Sequence, residues 1–457
     1  MFFILLAFLL VTTTASVFCI PPAMATGTIR ILSDGSIDPL GAPIITYDKI
    51  TYTLDAPNIL SSIFVERSNI VMDGMGYTVT GDGSGNGFIM ISVNNVTIKN
   101  TNIQNFMYGI YAEASSSILI RNNNITANTY DGIGVFYSFA PRILANRITA
   151  NSYDGIEIYN CSDNDIQENY IATNAWFGIG IYEYSTGNVT RNKIVDNYNG
   201  IELSYSSNIR IFHNDFINQT QHASTQFSIA VWDNGYPSGG NYWSDYTGTD
   251  VYSGPNQNQL GSDGIGDTPY NCSENNQDRY PLMQVFANIL VQRVLPSKSI
   301  VGQGYNFSIE VRVENQGWEP QTTSITIYVN STVLATYTNL EMTGRNQTIL
   351  NATLQTATYT KGNYTISASA TAVTGETVIT DNNCTWIVHV GVPGDVSSST
   401  PGVYDKKCDM RDIAYLVTLF NTRPTSPNWN PNADVNNDLV VNMRDISIAI
   451  AYFNQHE

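Results

Sequence analysis

Near the C-terminus the segment 433–445 reads ADVNNDLVVNMRD. It sets Asp434, Asn436, Asp438, Asn442 and Asp445 at positions 1, 3, 5, 9 and 12 of a loop, with the Val440 carbonyl at position 7. Oxygens at alternate positions can surround one Ca2+, a hard cation that takes roughly six to eight of them. Position 6, the sharp turn of such a loop, holds Leu439 instead of glycine. Acidic helix caps are the plainer reading, but a cap needs one side-chain acceptor, not five at fixed spacing.

The segment DKKCDMRDIAYLVTLF (405–420) aligns with DLVVNMRDISIAIAYF (438–453), 33 residues further on. An amphipathic helix is expected from Ile446. This duplicated loop and helix resembles a type I dockerin. The resemblance implies a first calcium loop using Asp395, Ser397, Asp405, Asp409 and Asp412 with the Lys407 carbonyl, lengthened by an insertion over 398–404. It also implies a cohesin-like partner, met near Met410–Arg411 and Met443–Arg444. Packing of the tail against its own chain is the alternative.

A second set of candidates lies in the first half. Met107, Tyr130, Tyr153, Trp176 and Tyr198 each stand two residues before a recurring glycine. Such a column, if exposed, would suit the apolar faces of sugar rings; aromatics stacked on one another is the plainer reading. Asp131, Asp154, Glu157, Glu183 and Glu202 recur beside it. Glycoside hydrolysis needs two carboxylates about 5–9.5 Å apart. Asp131 and Asp154 would sit about one coil apart, but repetition alone produces that spacing. The column Tyr130, Tyr153, Trp176, Tyr198 with Asp131 and Asp154 is therefore read as a carbohydrate-binding candidate, with no catalytic residue assigned.

A repeat must position these columns. NITANTYDGIGV (124–135), NRITANSYDGIEI (146–158), NYIATNAWFGIGI (169–181) and NKIVDNYNGIEL (192–203) are copies of one unit. Gly87, Gly109, Gly132, Gly155, Gly178 and Gly200 recur at steps of 22 or 23, and Asn105, Asn128, Asn151, Asn174 and Asn197 at 23. Each unit holds short alternating runs that put Ile, Val and Leu on one face. One unit cannot bury that face; stacked coils about 4.8 Å apart can, as a three-sided parallel β-helix. Asparagine is expected to bridge coils at the corners and to tolerate left-handed backbone, and glycine to supply positive φ at a bend.

The blocks VWDNGYPSGGNYWSDYTGTD (231–250), GSDGIGDTPY (261–270) and DRYPLM (278–283), with VERSNIVMDGMGYTVTGDGSG (65–85), resemble the NosD-type periplasmic copper-binding family. That implies a right-handed parallel β-helix over about 27–285, of the carbohydrate-binding and sugar-hydrolysis repeat class. The family name implies copper, yet the region holds only His213 and His222 and no His/Met cluster. Asp263 and Asp267 read as an acidic turn. Over 286–391 the asparagine period gives way to alternating β segments, which suggest an immunoglobulin-like sandwich. There VENQG, KGNYTISASA and TDNN resemble the CARDB-type adhesion-related domain, which implies a spacer or adhesive role.

The chain has 21 basic and 39 acidic residues, a formal charge of −18, and 50 asparagines. That balance excludes a nucleic-acid binder, which needs a basic face. The apolar N-terminal run ending in Ala23-x-Ala25 reads as a signal peptide (1–25), and no later run is long enough to span a membrane. Twelve N-x-S/T sequons occur, six of them between Asn306 and Asn383, which favours surface glycosylation. Cys161, Cys272, Cys384 and Cys408 are too scattered for zinc and leave disulfide pairing open.

The sequence is thus mainly β: parallel β-helix (26–285), Ig-like β-sandwich (286–391) and a small α-helical calcium-loop domain (392–457). The expected protein is secreted, extracellular or on the cell surface, and non-catalytic. Its β-helix would face a polysaccharide or surface glycan, and its tail would dock through calcium. The rival is a β-helix polysaccharide hydrolase or lyase, whose base would come from Arg121, Arg142, Arg147, Arg191 or Lys193. A copper-binding maturation factor is the third reading.

Overall fold

A computed structural model of the chain describes residues 27–457; the expected leader, 1–25, lies outside them. Three sheets of ten, ten and nine strands, parallel except for the short end strands Ile37–Asp38 and Ile44–Ile45, form the faces of a β-helix, each coil giving one strand to each face. Ile110, Ile133, Ile156, Ile179 and Ile201 pair in unbroken register along the first face. Ile103, Ile125, Ile148, Ile171 and Ile194 do the same along the third. All ten are buried. Alternation along each strand turns these β-branched side chains inward, where they stack coil on coil.

Two asparagine ladders hold the corners. In one, the Asn128 amide donates to Asn151 Oδ1 (2.8 Å), Asn151 to Asn174 (2.8 Å) and Asn174 to Asn197 (2.9 Å). Asn105 is not a rung of it: the N–H of Phe106 occupies that place, donating to Asn128 Oδ1. The second ladder runs Asn123, Asn146, Asn169, Asn192, Asn214, Asn241, each backbone N–H meeting the next Oδ1 at 2.9–3.1 Å. The left-handed residue is the one before each rung up to Asn214, such as Ala150 (φ 56), Thr173 (φ 55) or Glu168 (φ 60), not the ladder asparagine. The ladder bonds hold these non-glycine residues in a conformation that costs about 1–3 kcal/mol.

The recurring glycines likewise serve a different need from the positive φ expected of them. A Cβ on Gly155 would lie 2.6 Å from the Gly178 carbonyl oxygen and 2.7 Å from Ile171 Cγ2. Close approach of coil to coil, not a bend, requires them.

The motif blocks after the repeats close the helix. Asn241 is the last rung, and Asp278 accepts its N–H (2.7 Å) and the Trp243 indole N–H (2.9 Å). A Cβ on Gly240 would overlap that carboxylate at 1.9 Å. Arg279 pairs with Asp233 (2.6 Å), and Asp267 accepts the N–H groups of Val251 and Tyr252, an acidic turn as expected.

Between Ile289 and Gly391 a three-stranded and a five-stranded sheet enclose a core of Phe307, Ile309, Ile325, Ile327, Ile366 and Val388. This β-sandwich rests on the β-helix: the Trp318 indole donates to the Arg191 carbonyl (3.0 Å), Lys193 pairs with Glu319 (2.5 Å), and Arg345 pairs with Glu168. Six sequon asparagines of the sandwich (306, 330, 346, 351, 363, 383) are exposed. Two nine-residue helices follow, α1 (Met410–Thr418) and α2 (Met443–Ala451). Among the described residues no helix is long and apolar enough to cross a membrane, and Cys161, Cys272, Cys384 and Cys408 are all free thiols.

Candidate functional site

The outward side of the first face carries the carboxylates. One column reads Tyr111, Gly134, Glu157, Gly180, Glu202, Ser224 and a neighbouring one Glu113, Phe136, Tyr159, Tyr182, Ser204, Gln226. The two glycines leave gaps that rings fill. A Cβ on Gly180 would lie 2.4 Å from the Tyr182 hydroxyl oxygen. Tyr182 crosses that gap and donates to Asp154 Oδ2 (3.3 Å).

Asp131 and Asp154, the two acids of the sequence candidate, are both 0% exposed. Each carries a neighbouring coil: Asp131 Oδ1 accepts the Asp154 N–H (2.8 Å), and Asp154 Oδ1 accepts the Phe177 N–H (3.0 Å). Asp131 therefore sits beneath the surface against Glu157, while Glu157 and Glu202 reach the groove. Asp131 Oδ2 is buried without a donor. Burial, then the Glu157 carboxyl beside it and the charge of Asp154, push Asp131 well up, and burial raises Glu157 as well. Burial pushes Asp154 up to about 7, and Glu202 upward as well.

Asp154, Glu157 and Glu202 line an open trough of about 430 Å³, with Tyr153 and Trp176 on one rim, Glu157 and Glu202 on the floor, and Tyr205 and Gln226 on the other rim. The first rim is the expected aromatic column. Its rings stack on one another, Tyr130 on Tyr153 (4.6 Å, 7°), Tyr153 on Trp176 (5.9 Å, 11°) and Trp176 on Tyr198 (5.3 Å, 15°). Inner ring faces are thus occupied, and edges and polar tips are what the rim presents. The opposite rim escaped the sequence reading. There Tyr205 and Phe227 occupy left-handed turn positions directly after first-face strands, and Tyr184 takes one a residue further on, after Glu183. Tyr184 is 74% and Phe227 75% exposed, both outside the trough lining, and Phe227 stacks on Tyr205 (4.9 Å, 29°), which does line it. Their spacing of 21 and 22 residues was the available signal.

Arg142 and Arg147 lie on strands of the second and third faces, Lys193 on the third, Arg121 on the second, and Arg191 at a corner, so none of these bases faces the trough. Another depression, of about 420 Å³, is lined by Asn100, Asn102, Asn124 and Arg147. Its amides are spent on turns, as in Asn102 to the Gly76 carbonyl (2.7 Å) and Asn100 to Asp73 (3.0 Å).

In the tail, both cap and loop features are present. Asp409 and Asn442 are the N-caps of α1 and α2, each in a capping box with Asp412 and Asp445. Asp434, Asp438 and Asp445 each place an oxygen within 4.8 Å of the others. Asn436 and Asn442 both bond Asp438, and the Val440 carbonyl accepts from Asn442 (3.2 Å). Leu439 (φ 67) and Lys406 (φ 70) take the left-handed turn at the same place in each loop. In the first loop Asp395 Oδ2 and Asp405 Oδ1 are buried without donors. Burial, with repulsion from Asp412 and Asp405, pushes Asp395 up to about 7. Ser397 is buried beside them, its N–H given to Asp412 (2.7 Å). The strand bonds at Lys407 are made by its neighbours, Lys406 O and Cys408 N. All-oxygen donors with orphaned buried carboxylate atoms fit a hard cation. Arg411 competes in the first loop, pairing with Asp405 (2.8 Å) and Asp409 (2.6 Å).

The tail also meets the sandwich. Buried Lys298 donates to the Asp434 carbonyl, His389 pairs with Glu457, and Asn432 Oδ1 accepts the Ser299 N–H (3.1 Å). Met410 and Met443, Val417 and Ile450, and Phe420 and Phe453 are exposed in equivalent pairs.

The two β-helix histidines are engaged within the protein. His213 Nε2 meets the Ser238 carbonyl (2.9 Å) under Phe286, and His222 contacts Gln219 (2.5 Å) and Asp245 (3.1 Å). Burial lowers both from the usual imidazole range.

The described residues define a parallel β-helix protein carrying a β-sandwich. The family described as periplasmic copper-binding protein (NosD) matches residues 60–248, within the β-helix. Among solved structures, the CARDB domain of a Pyrococcus furiosus protein in complex with di-metal ions is 23% identical, TM-score 0.21, over 23% of this chain and 89% of that one. The periplasmic alginate epimerase AlgG is 18% identical, TM-score 0.30, over 41% of this chain and 51% of that one. A type II cohesin–X-dockerin complex from Acetivibrio cellulolyticus is 15% identical, TM-score 0.14, over 29% and 83%. No curated protein matches the chain.

Proposed function

We propose that the chain works outside the cytoplasm as a carbohydrate-binding modular protein. The β-helix trough takes the glycan, the sandwich spaces it, and the tail is a calcium-stabilised docking module for a cohesin-like partner. The trough carries this reading: two aromatic rims enclose half-buried carboxyls that can bond sugar hydroxyls. The paired exposed side chains of α1 and α2 support the docking role. A glycan array probed with the full chain should give hits that Trp176→Ala abolishes. An array with no hits across plant, microbial and surface-layer sugars sinks the carbohydrate role.

One observation favours hydrolysis as a second reading. Glu157 and Glu202 share a column two coils apart, about 9.6 Å along the stack, near the separation inverting glycosidases use. In that reading one carboxyl protonates the leaving oxygen while the other takes a proton from the attacking water. Reducing sugar released by the wild type and lost in Glu157→Gln would establish it. The copper reading gains nothing from buried histidines held in internal contacts, His222 through both ring nitrogens and His213 through Nε2.

A further inference from the structure

The sign of the charge in the trough narrows the class of glycan. Glu157, Asp154, Glu183 and Glu202 line it, and among the described lining residues there is no lysine or arginine. Glu113 stands in the next column, bonded by the Tyr111 hydroxyl (2.8 Å). Below them lies Asp131, wholly buried, its Oδ2 without a donor. So many carboxyls in one half-buried strip repel one another, and burial adds a cost for each charge. A bound cation would remove both costs. A uronic-acid polymer would add to them.

Resting on the carbohydrate reading, we propose that the trough selects an amino-sugar polymer with free, protonated amines, in preference to N-acetylated or uronic-acid polymers. An ammonium offers three donors to carboxylate oxygens, and charge-assisted bonds are about twice as strong as neutral ones. Glu157 and Glu202 receive the amines. Tyr205 on one rim and the edges of Tyr153 and Trp176 on the other hold the sugar. N-acetylation removes the charge and adds bulk over the floor. Binding of the amines favours the ionised form of the carboxyls, because an adjacent cation stabilises a carboxylate.

The test is calorimetric titration of the full chain with four hexamers: glucosamine, N-acetylglucosamine, galacturonate and lysine. Glucosamine hexamer should bind at least about tenfold more tightly than its acetylated form, the size expected of one or two charge-assisted bonds. Glu202→Gln, at a half-exposed position that leaves the coil intact, should reduce that ratio several-fold. Trp176→Ala should weaken both sugars together. Equal or tighter binding of the acetylated or galacturonate hexamer overturns the amine preference while leaving carbohydrate binding in place. Lysine hexamer binding as tightly as glucosamine overturns it too, since the trough would then be a cation sink indifferent to sugar. Absence of binding by any sugar ends both the preference and the reading beneath it.

Discussion

Glu157 and Glu202 stand in one outward column of the β-helix, separated by Gly180, and Tyr182 leans through the gap that glycine leaves to reach Asp154. A side chain at position 180 would close this arrangement. Three acids and a phenol therefore share a strip that ordinary surface residues would fill, and the cost of their proximity is a cost of folding.

That cost has a pH signature. Burial raises Asp154, Asp215 and Asp278 from 3.8 to about 7. A carboxyl raised in the fold lends stability that is full below its ordinary value and lost as pH climbs to the raised one. His213, lowered from 6.5 to about 4, acts in the opposite sense over part of that window, but three acids outweigh it. The melting temperature should fall between about pH 4 and 7, and Asp154→Asn should flatten the decline. A melting temperature rising steadily over that interval would contradict the assignment.

The ladders should dominate β-helix stability. Asn169 receives two donors from Asn146 and gives its amide to the Ile143 carbonyl (2.8 Å) and Asn192 (3.0 Å). Asn169→Ala orphans several buried groups and should cost about 3–5 kcal/mol in denaturant unfolding. Asn188→Ala, on an exposed strand position, should stay within about 0.5 kcal/mol. Similar losses at the two sites would remove the ladder's special role.

Gly155→Ala should be as damaging as a ladder deletion, because its Cβ would meet the Gly178 carbonyl, which is backbone and cannot swing away. Gly235→Ala tests the other use of glycine. Its Cβ meets nothing within 4 Å and only its φ of 74° resists, so a loss of about 1 kcal/mol is expected by chemical denaturation. Equal tolerance at both sites would refute the close-approach explanation.

Calcium should protect the tail. With calcium at about 100 times its dissociation constant the folded tail gains about 2.7 kcal/mol, so a chelator should speed proteolysis of residues 392–457 in the full chain. Asp434→Ala should erase the difference between chelated and loaded protein. Leu439→Gly should slow cleavage even with chelator, by relieving the left-handed strain at φ 67. Cleavage indifferent to chelation would defeat the calcium assignment.

Sequence periodicity made the β-helix legible because each coil repeats its inward isoleucine, its corner asparagine and its close-approach glycine. The Asn123–Asn241 ladder is equally periodic, but its first rung lies inside RNNNI, where neighbouring asparagines blur the register, and its last step is 27 residues. Asp131 and Asp154 looked like surface acids because they adjoin turns. Their burial depends on the next coil's N–H groups, which no single repeat reveals. Tyr205 and Phe227 were hidden because attention to the glycine step favours residues before the strand over those after it. In the tail the ligand spacing was readable, whereas the Arg411 ion pairs and the Lys298 contact depend on how elements pack.

Hydroxyl-radical footprinting of the full chain, with and without a bound oligosaccharide, tests most directly whether the trough is the carbohydrate site. Protection of Tyr153, Trp176 and Tyr205 is expected, with exposed Tyr47 and Tyr252, which lie off the trough, unchanged. A ligand that leaves those three side chains as reactive as in the free protein, while shielding another surface, would contradict it.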